Sequence, residues 1–179
     1  MVEKRKYKRT QSYLFVDGYN IINAWDDFKD MTEDRLEEAR ELLVDIMEEY
    51  AAMEHVFVIL VFDAYRVKGN GGAVESREHM DIVFTKETVT ADRYIESEIA
   101  SMGGRMNDVS VATSDYVEQQ IIMARGGKRI SARELELMVK SAKGRTRKTA
   151  HRIGAKEPFF STLDEQNKKK LERLKKKLT

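Results

Sequence analysis

The chain has no cysteine, so a disulfide, a thiol nucleophile and a thiolate metal site are all excluded. Histidine is scarce: His55, His79 and His151 are the three present, and their separation does not fit a zinc site. Any metal therefore has to be held mainly by oxygen, which selects hard cations such as Mg2+ or Mn2+. Proline occurs once, which argues against long Pro-rich linkers. Apolar runs long enough to cross a membrane are missing too, and the longest, Val56 to Phe62, has the length of a buried strand. The basic start (Lys4, Arg5, Lys6, Lys8, Arg9) is not followed by an apolar signal segment, because Val16-Asp17-Gly18 interrupts the one candidate. The expectation is a cytoplasmic protein with no membrane partner, and no feature specifies an oligomeric state.

Charge, by contrast, is abundant and unevenly placed. The formal net charge is +1, yet from Arg125 onward there are 18 Lys and Arg against 6 Asp and Glu. The last part of the chain is thus basic and the first part acidic. A basic tail attracts a polyphosphate, while an acidic body concentrates cations. The plainer alternative is a solvated surface that keeps the protein soluble, and it fits the body better than the tail.

The pattern of apolar residues alternates between two periods. Tyr13–Asp17 is a short apolar run ending in an acid, expected to be a buried strand. Helical spacing follows over Met31–Met53, through Leu36, Leu43, Ile46, Met47 and Tyr50, with Thr32 as the expected N-cap. Val56–Phe62 is a second strand that again ends in an acid, Asp63. After a glycine-marked loop at Gly69–Gly72, Asp81–Phe84 is a short strand, and Thr90 caps a helix running to about Met102. Val109–Thr113 is a further strand, with a helix from Asp115 to about Arg125 behind it. Ser131 and Glu134 form a capping box for a helix to about Lys143, then Gly144–Arg152 is expected to be a basic loop. Thr162 with Glu165 opens a last charged helix with Leu171, Leu174 and Leu178 along one side. This order implies βαβ units: an α/β fold with a mainly parallel central sheet and helices on both faces.

In such sheets ligands bind beyond the carboxyl ends of the strands. Asp17 and Asp63 end two strands, Asp115 follows a third, and Asp92 opens the helix after Thr90-Ala91. Each acid alone has an ordinary reading as a helix cap or strand terminator. Brought to one edge, several carboxylates repel one another unless a divalent cation neutralises them. Glu96, one helical turn after Asp92, adds a candidate ligand. A cation held there can activate water and stabilise charge on a phosphodiester. No histidine or lysine is placed as an obvious general base, which favours activated water over attack by a ribose 2′-hydroxyl.

Basic residues cluster at Lys128, Arg129, Lys143, Arg145, Arg147, Lys148 and Arg152, suited either to phosphates or to a plain solvated face. Lys68, beside the glycine loop, is placed to reach across a substrate. Tyr19, Tyr65 and Tyr116, each close after a candidate acid, suit either base stacking or the core. The single tryptophan, Trp25, is expected in the core or at its edge.

Four segments give this constellation a family likeness. Asp17-Gly18-Tyr19-Asn20-Ile21-Ile22, Val61-Phe62-Asp63-Ala64, Thr90-Ala91-Asp92-Arg93-Tyr94-Ile95 and Ala112-Thr113-Ser114-Asp115 occur in this order. Together they resemble the NYN nucleases, a branch of the PIN-like superfamily, and within it the bacterial YacP-like group of ribosome-associated endoribonucleases. The likeness covers roughly residues 12–152. It implies a PIN-like Rossmannoid three-layer sandwich, endoribonuclease activity dependent on Mg2+ or Mn2+, and a link to ribosomes and messenger RNA decay. It also implies that Asp17, Asp92 and Asp115 are the metal-binding acids. Asn20 resembles the polar residue that orders the first loop and the substrate, and Thr113 and Ser114 resemble the hydroxyl residues beside the last acid. The expected organisation is a basic extension over 1–11, a nuclease domain over 12–153 and a basic helical tail over 154–179.

Two rival readings stand beside this one. A non-catalytic RNA- or ribosome-binding protein on a nuclease-like fold is disfavoured by the retained acids. A phosphatase on a related fold is disfavoured because Gly18-Tyr19 follows Asp17, where a second aspartate two residues on would be needed.

Overall fold

A computed structural model describes residues 7–8, 10–31, 35–63, 72–102, 108–113 and 127–154, with side chains through 146. Residues 1–142 and 143–179 form two compact units. The first unit is built on a sheet of six strands in the order β3-β4-β2-β1-β5-β6. These are β1 (Tyr13–Asp17), β2 (Phe57–Phe62), β3 (Val74–Ser76), β4 (Met80–Phe84), β5 (Val109–Ala112) and β6 (Lys128–Ile130). All neighbours pair in parallel except β3, which runs antiparallel to β4 at one edge.

The helices are α1 (Gly18–Ala24), α2 (Leu36–Glu54), α3 (Ala91–Met102) and α4 (Ala132–Gly154), with a 3-10 turn at Asp26–Phe28. Strand alternation sorts the core into two layers. Leu14, Val16, Val58, Leu60, Phe62, Met80 and Ile82 face α1, α2 and the start of α4. Tyr13, Phe15, Ile59, Val61, Val83, Val109 and Val111 face Ala91, Ile95 and Ile99 of α3. Helices on both faces of a mainly parallel sheet are what the βαβ order requires. Trp25 is buried, and its indole N–H donates to the Ala132 carbonyl at 2.8 Å, tying the end of α1 to the start of α4.

Local signals set several boundaries. The Thr90 hydroxyl accepts from the Arg93 N–H at 3.3 Å at the start of α3. Ser131 and Glu134 make the reciprocal capping box, with bonds of 3.2 and 2.6 Å. His55 ends α2 in the left-handed region, at φ 54°.

Other expectations are corrected. The helix expected from Met31 begins at Leu36, and its expected cap Thr32 lies outside the described residues. The stretch Gly144–Arg152 is not a loop: α4 runs through it to Gly154. One glycine costs a helix only about 1 kcal/mol, a Cβ at Gly144 would meet nothing within 4 Å, and the neighbouring residues are good helix formers without a proline. The strands β3 and β6 and the short helix α1 were not expected. β6 is Lys-Arg-Ile, whose charge hides its strand character. The expected helix after Asp115 and the one after Thr162 lie outside the described residues.

The N-terminal extension has at least one fixed point. The Tyr7 ring meets Tyr13 edge-on at 5.1 Å between centroids, and its hydroxyl donates to the Glu98 carboxylate of α3.

Candidate nuclease site

On the α3 face, each of the four inner strands turns from apolar to polar at its carboxyl end. Tyr13 and Phe15 are followed by Asp17, Ile59 and Val61 by Asp63, Val83 by Thr85, and Val111 by Thr113. The side-chain period of two keeps these four on one face. Register then sets their height. Val16 pairs with Ala112, so Thr113 follows at the level of Asp17. Phe62 pairs with Phe84, so Asp63 stands beside Thr85.

Asp17 is the last residue of β1 and the N-cap of α1. Its backbone is extended, and its Oδ1 accepts from the Asn20 N–H at 3.1 Å. This bond turns the chain sharply from strand to helix at the sheet edge. Gly18 makes the turn possible, because a Cβ there would lie 2.2 Å from the ring of Phe62, a fully buried side chain. Tyr19 packs on the same ring, with centroids 5.2 Å apart, and is buried. Of its two expected roles, the core one is therefore what the structure shows.

Asp63 acts on a distant element. Its Oδ1 accepts from the Ala91 N–H at 2.6 Å, which anchors the start of α3 to the end of β2. Asp92 is the next residue, in the first turn of α3, and the half-buried Glu96 lies one turn further on. Three acids from separate segments thus meet around the carboxyl edge.

Asp17 feels the other two. The Asp17 carboxyl is raised from its ordinary 3.8 to about 6. Burial is the main cause, and the charges of Asp92 and Asp63 push the same way, against the Asn20 and Tyr19 N–H groups. An acid so placed would be relieved by a cation. The donors are all oxygen, as Mg2+ or Mn2+ prefers. Among the described residues, however, no group of three or more His, Cys, Asp or Glu side chains is close enough to hold a metal ion. Asp115 and Ser114, which follow Thr113 directly, lie outside the described residues, as does Lys68.

The model of the YacP-like NYN domain family matches residues 14–176. The chain belongs to the YacP-like NYN family. The uncharacterized protein YacP of Bacillus subtilis (strain 168) is 39% identical over 145 residues, covering 81% of this chain and 85% of that protein. The crystal structure of Rae1 (YacP) from Bacillus subtilis superposes with a TM-score of 0.70 at 36% identity, covering 93% of this chain and 95% of that one. The crystal structure of a tryptophan-to-leucine mutant of Rae1 gives 0.70 at 33% identity, over 91% and 99%. Membership of the YacP-like NYN family supports a nuclease-type, RNA-related role, and the likeness to Rae1 matches the PIN-like fold.

In this NYN domain Lys128 and Arg129 are on β6, and the other described members of the basic set are on α4. Lys128 pairs with Ser110, near the amino end of β5, and its ammonium holds the Asp108 carboxylate at 2.7 Å. It is thereby drawn to the opposite edge of the sheet. Arg129 is exposed in the middle of the edge strand β6. Lys143 and Arg145 lie on α4 in the second unit, and Arg147, Lys148 and Arg152 follow on the same helix. The positioning role of Asp63 was missed by sequence reasoning. A strand-end acid level with the N-terminus of the next helix is a weak signal for it.

Proposed function

We propose that the protein is a metal-dependent endoribonuclease that cleaves messenger RNA, in association with the ribosome. The observation that carries this reading is the raised carboxyl of Asp17 facing Asp63 and Asp92 at the strand ends, in a chain of the YacP-like NYN family. Asp17, Asp92 and Asp115 would hold Mg2+ or Mn2+, with Glu96 beside Asp92. When bound, such an ion activates water and offsets charge on the phosphodiester.

The chain's own residues do the rest. Asp63 fixes the start of α3, so that Asp92 is presented at a set height. Asn20, through its N–H, fixes the orientation of the Asp17 carboxylate. Thr113 and Ser114 would border the scissile phosphate, as the family likeness implies. Phosphate contacts fall to Lys68, to Arg129 and to the basic run of α4, in which Arg145, Lys148 and Arg152 recur at helical spacing. Lys128 is the least suited of the expected contacts, because Asp108 already neutralises it.

The test is to incubate the purified protein with translating ribosomes and with naked messenger RNA, with and without Mn2+ or Mg2+, and map the new RNA ends. Cleavage that needs the cation and falls by at least about a hundredfold in Asp17→Asn and Asp92→Asn is expected. Unchanged cleavage in the pure variants would overturn the assigned site. Absence of cleavage in every sample would favour a non-catalytic RNA- or ribosome-binding role.

A further inference from the structure

Arg40 breaks the apolar stripe of α2. It stands one turn before Leu43 and Val44 and two before Met47, all buried on the sheet side of the helix. Its side chain is only 14% exposed. A cation so covered is costly unless it is paired. Yet the carboxylate oxygen that faces it among the described residues, on Glu37, is 4.0 Å away and belongs to a side chain that is 81% exposed. Its one hydrogen bond among the described residues runs from Nη1 to the Tyr19 hydroxyl at 3.1 Å. A guanidinium carries five N–H donors in a fixed fork, so most of its capacity is unspent.

The position of Arg40 in the fold says what could use that capacity. α2 descends from the carboxyl edge of the sheet to the amino edge, where β2 begins. From Glu54 back to Arg40 the helix rises about 21 Å, and β2 climbs about 20 Å. Arg40 therefore reaches the level of the acidic edge. Tyr19, which holds it, lies two residues after Asp17 and packs on Phe62, on the α2 side of the sheet. The acids Asp17 and Asp63 lie on the α3 side. A strand crossing the top of the sheet over the acids would next meet Arg40.

We propose that Arg40 is a phosphate contact of the RNA strand, clamping a phosphodiester beside the one that lies over Asp17 and Asp92, with the Tyr19 hydroxyl fixing its fork. This rests on reading the acidic edge as a nuclease site. A phosphodiester oxygen pair matches a guanidinium fork, and the charge-assisted bonds supply the close ion pair that Glu37 does not make. The strand is thereby given a course, from the α3 layer across the strand ends to the α2 layer.

The test measures binding of a short fluorescent single-stranded RNA by the full chain, in buffer without divalent cations, across a series of salt concentrations. For Arg40→Gln, affinity at low salt is expected to fall about tenfold, and the slope of log affinity against log salt to flatten by about 0.7, the value for one phosphate on a single strand. Arg40→Lys keeps the charge and loses the fork, so it should keep the slope while binding several-fold more weakly. If Arg40→Gln does not fold, as judged by circular dichroism, Arg40→Lys carries the test. Wild-type affinity and slope in Arg40→Gln, or wild-type affinity in Arg40→Lys, would overturn the proposal. Cleavage in Mn2+ is followed in parallel. A wild-type protein that binds the RNA but cuts neither it nor messenger RNA on translating ribosomes removes the nuclease reading while the slope still decides on Arg40. A protein that cuts normally but has an unchanged slope in the variant removes Arg40 alone. Failure of the wild type to bind the RNA overturns the proposal for Arg40 and leaves the nuclease reading to the ribosome assay.

Discussion

The two edges of the sheet use the same residue type in opposite ways. At the amino edge, Asp108 accepts from the Ser12 hydroxyl at 2.6 Å and from the Lys128 ammonium at 2.7 Å, and these bonds hold its carboxyl below the ordinary value. Nearby, Arg77 bridges Glu48 and Glu75 at 2.5 and 3.1 Å. At the carboxyl edge, Asp17 is half-buried, faces Asp63 and Asp92, and is pushed up to about 6. The acids of the amino edge are matched to cations that the chain supplies. Those of the carboxyl edge face each other. The strand ends at the amino edge are neutralised internally, whereas on the proposed reading those at the carboxyl edge would be neutralised by a cation brought in.

That contrast can be sharpened first at Asp63. If its part is to hold the start of α3, Asp63→Asn keeps an acceptor for the Ala91 N–H, and RNA cleavage should stay within a few-fold of wild type. Asp63→Ala removes the acceptor and should lower cleavage by about ten- to a hundredfold, the cost of disturbing a supporting group. Equal, large losses in both variants would make Asp63 a direct ligand instead.

The next largest effect is on stability. The folded protein binds the Asp17 proton more tightly than the unfolded chain does, since its value lies at about 6 against an ordinary 3.8. The stability that this gives is present in full below pH 3.8, declines as pH rises and is gone above about 6, where the ionised form carries a penalty. Asparagine keeps the cap on Asn20 without the charge. Asp17→Asn should therefore match wild type near pH 4 and exceed it by about 1–3 kcal/mol at pH 7 in metal-free protein. Urea titrations at the two pH values check this, and a variant less stable than wild type at pH 7 would show that the edge is not strained.

The smallest effect belongs to the amino edge. Lys128 and Asp108 are 68% and 46% exposed, so the pair contributes under about 1 kcal/mol. Lys128→Gln should lower the melting temperature by no more than a few degrees and leave RNA cleavage within about twofold. A large fall in cleavage would return Lys128 to the substrate path and blur the contrast between the edges.

Much of this was legible in the sequence for a physical reason. Two buried strands that each end in aspartate announce where apolar packing stops, and parallel order brings those ends together. Capping residues at Thr90 and Ser131 likewise act within one turn, so local pattern finds them. What stayed hidden depends on distant partners. The Asp63 bond to Ala91 joins residues 28 apart in sequence. Arg40 looks like one more charge on a charged helix until its stripe is seen to face the sheet and Tyr19. β6 hides because its three residues, Lys-Arg-Ile, take their strand conformation from pairing with β5 and not from composition. Gly144 misled because a single glycine was weighed above the helix formers around it.

The central claim is that the carboxyl edge is completed by a divalent cation. Isothermal titration of Mn2+ into the full chain, beside Asp17→Asn and Asp92→Asn, tests it most directly. Saturable binding to the wild type, weakened at least about tenfold in both variants, is the predicted result. Equal Mn2+ affinity in all three proteins, or no saturable binding to the wild type, would contradict it.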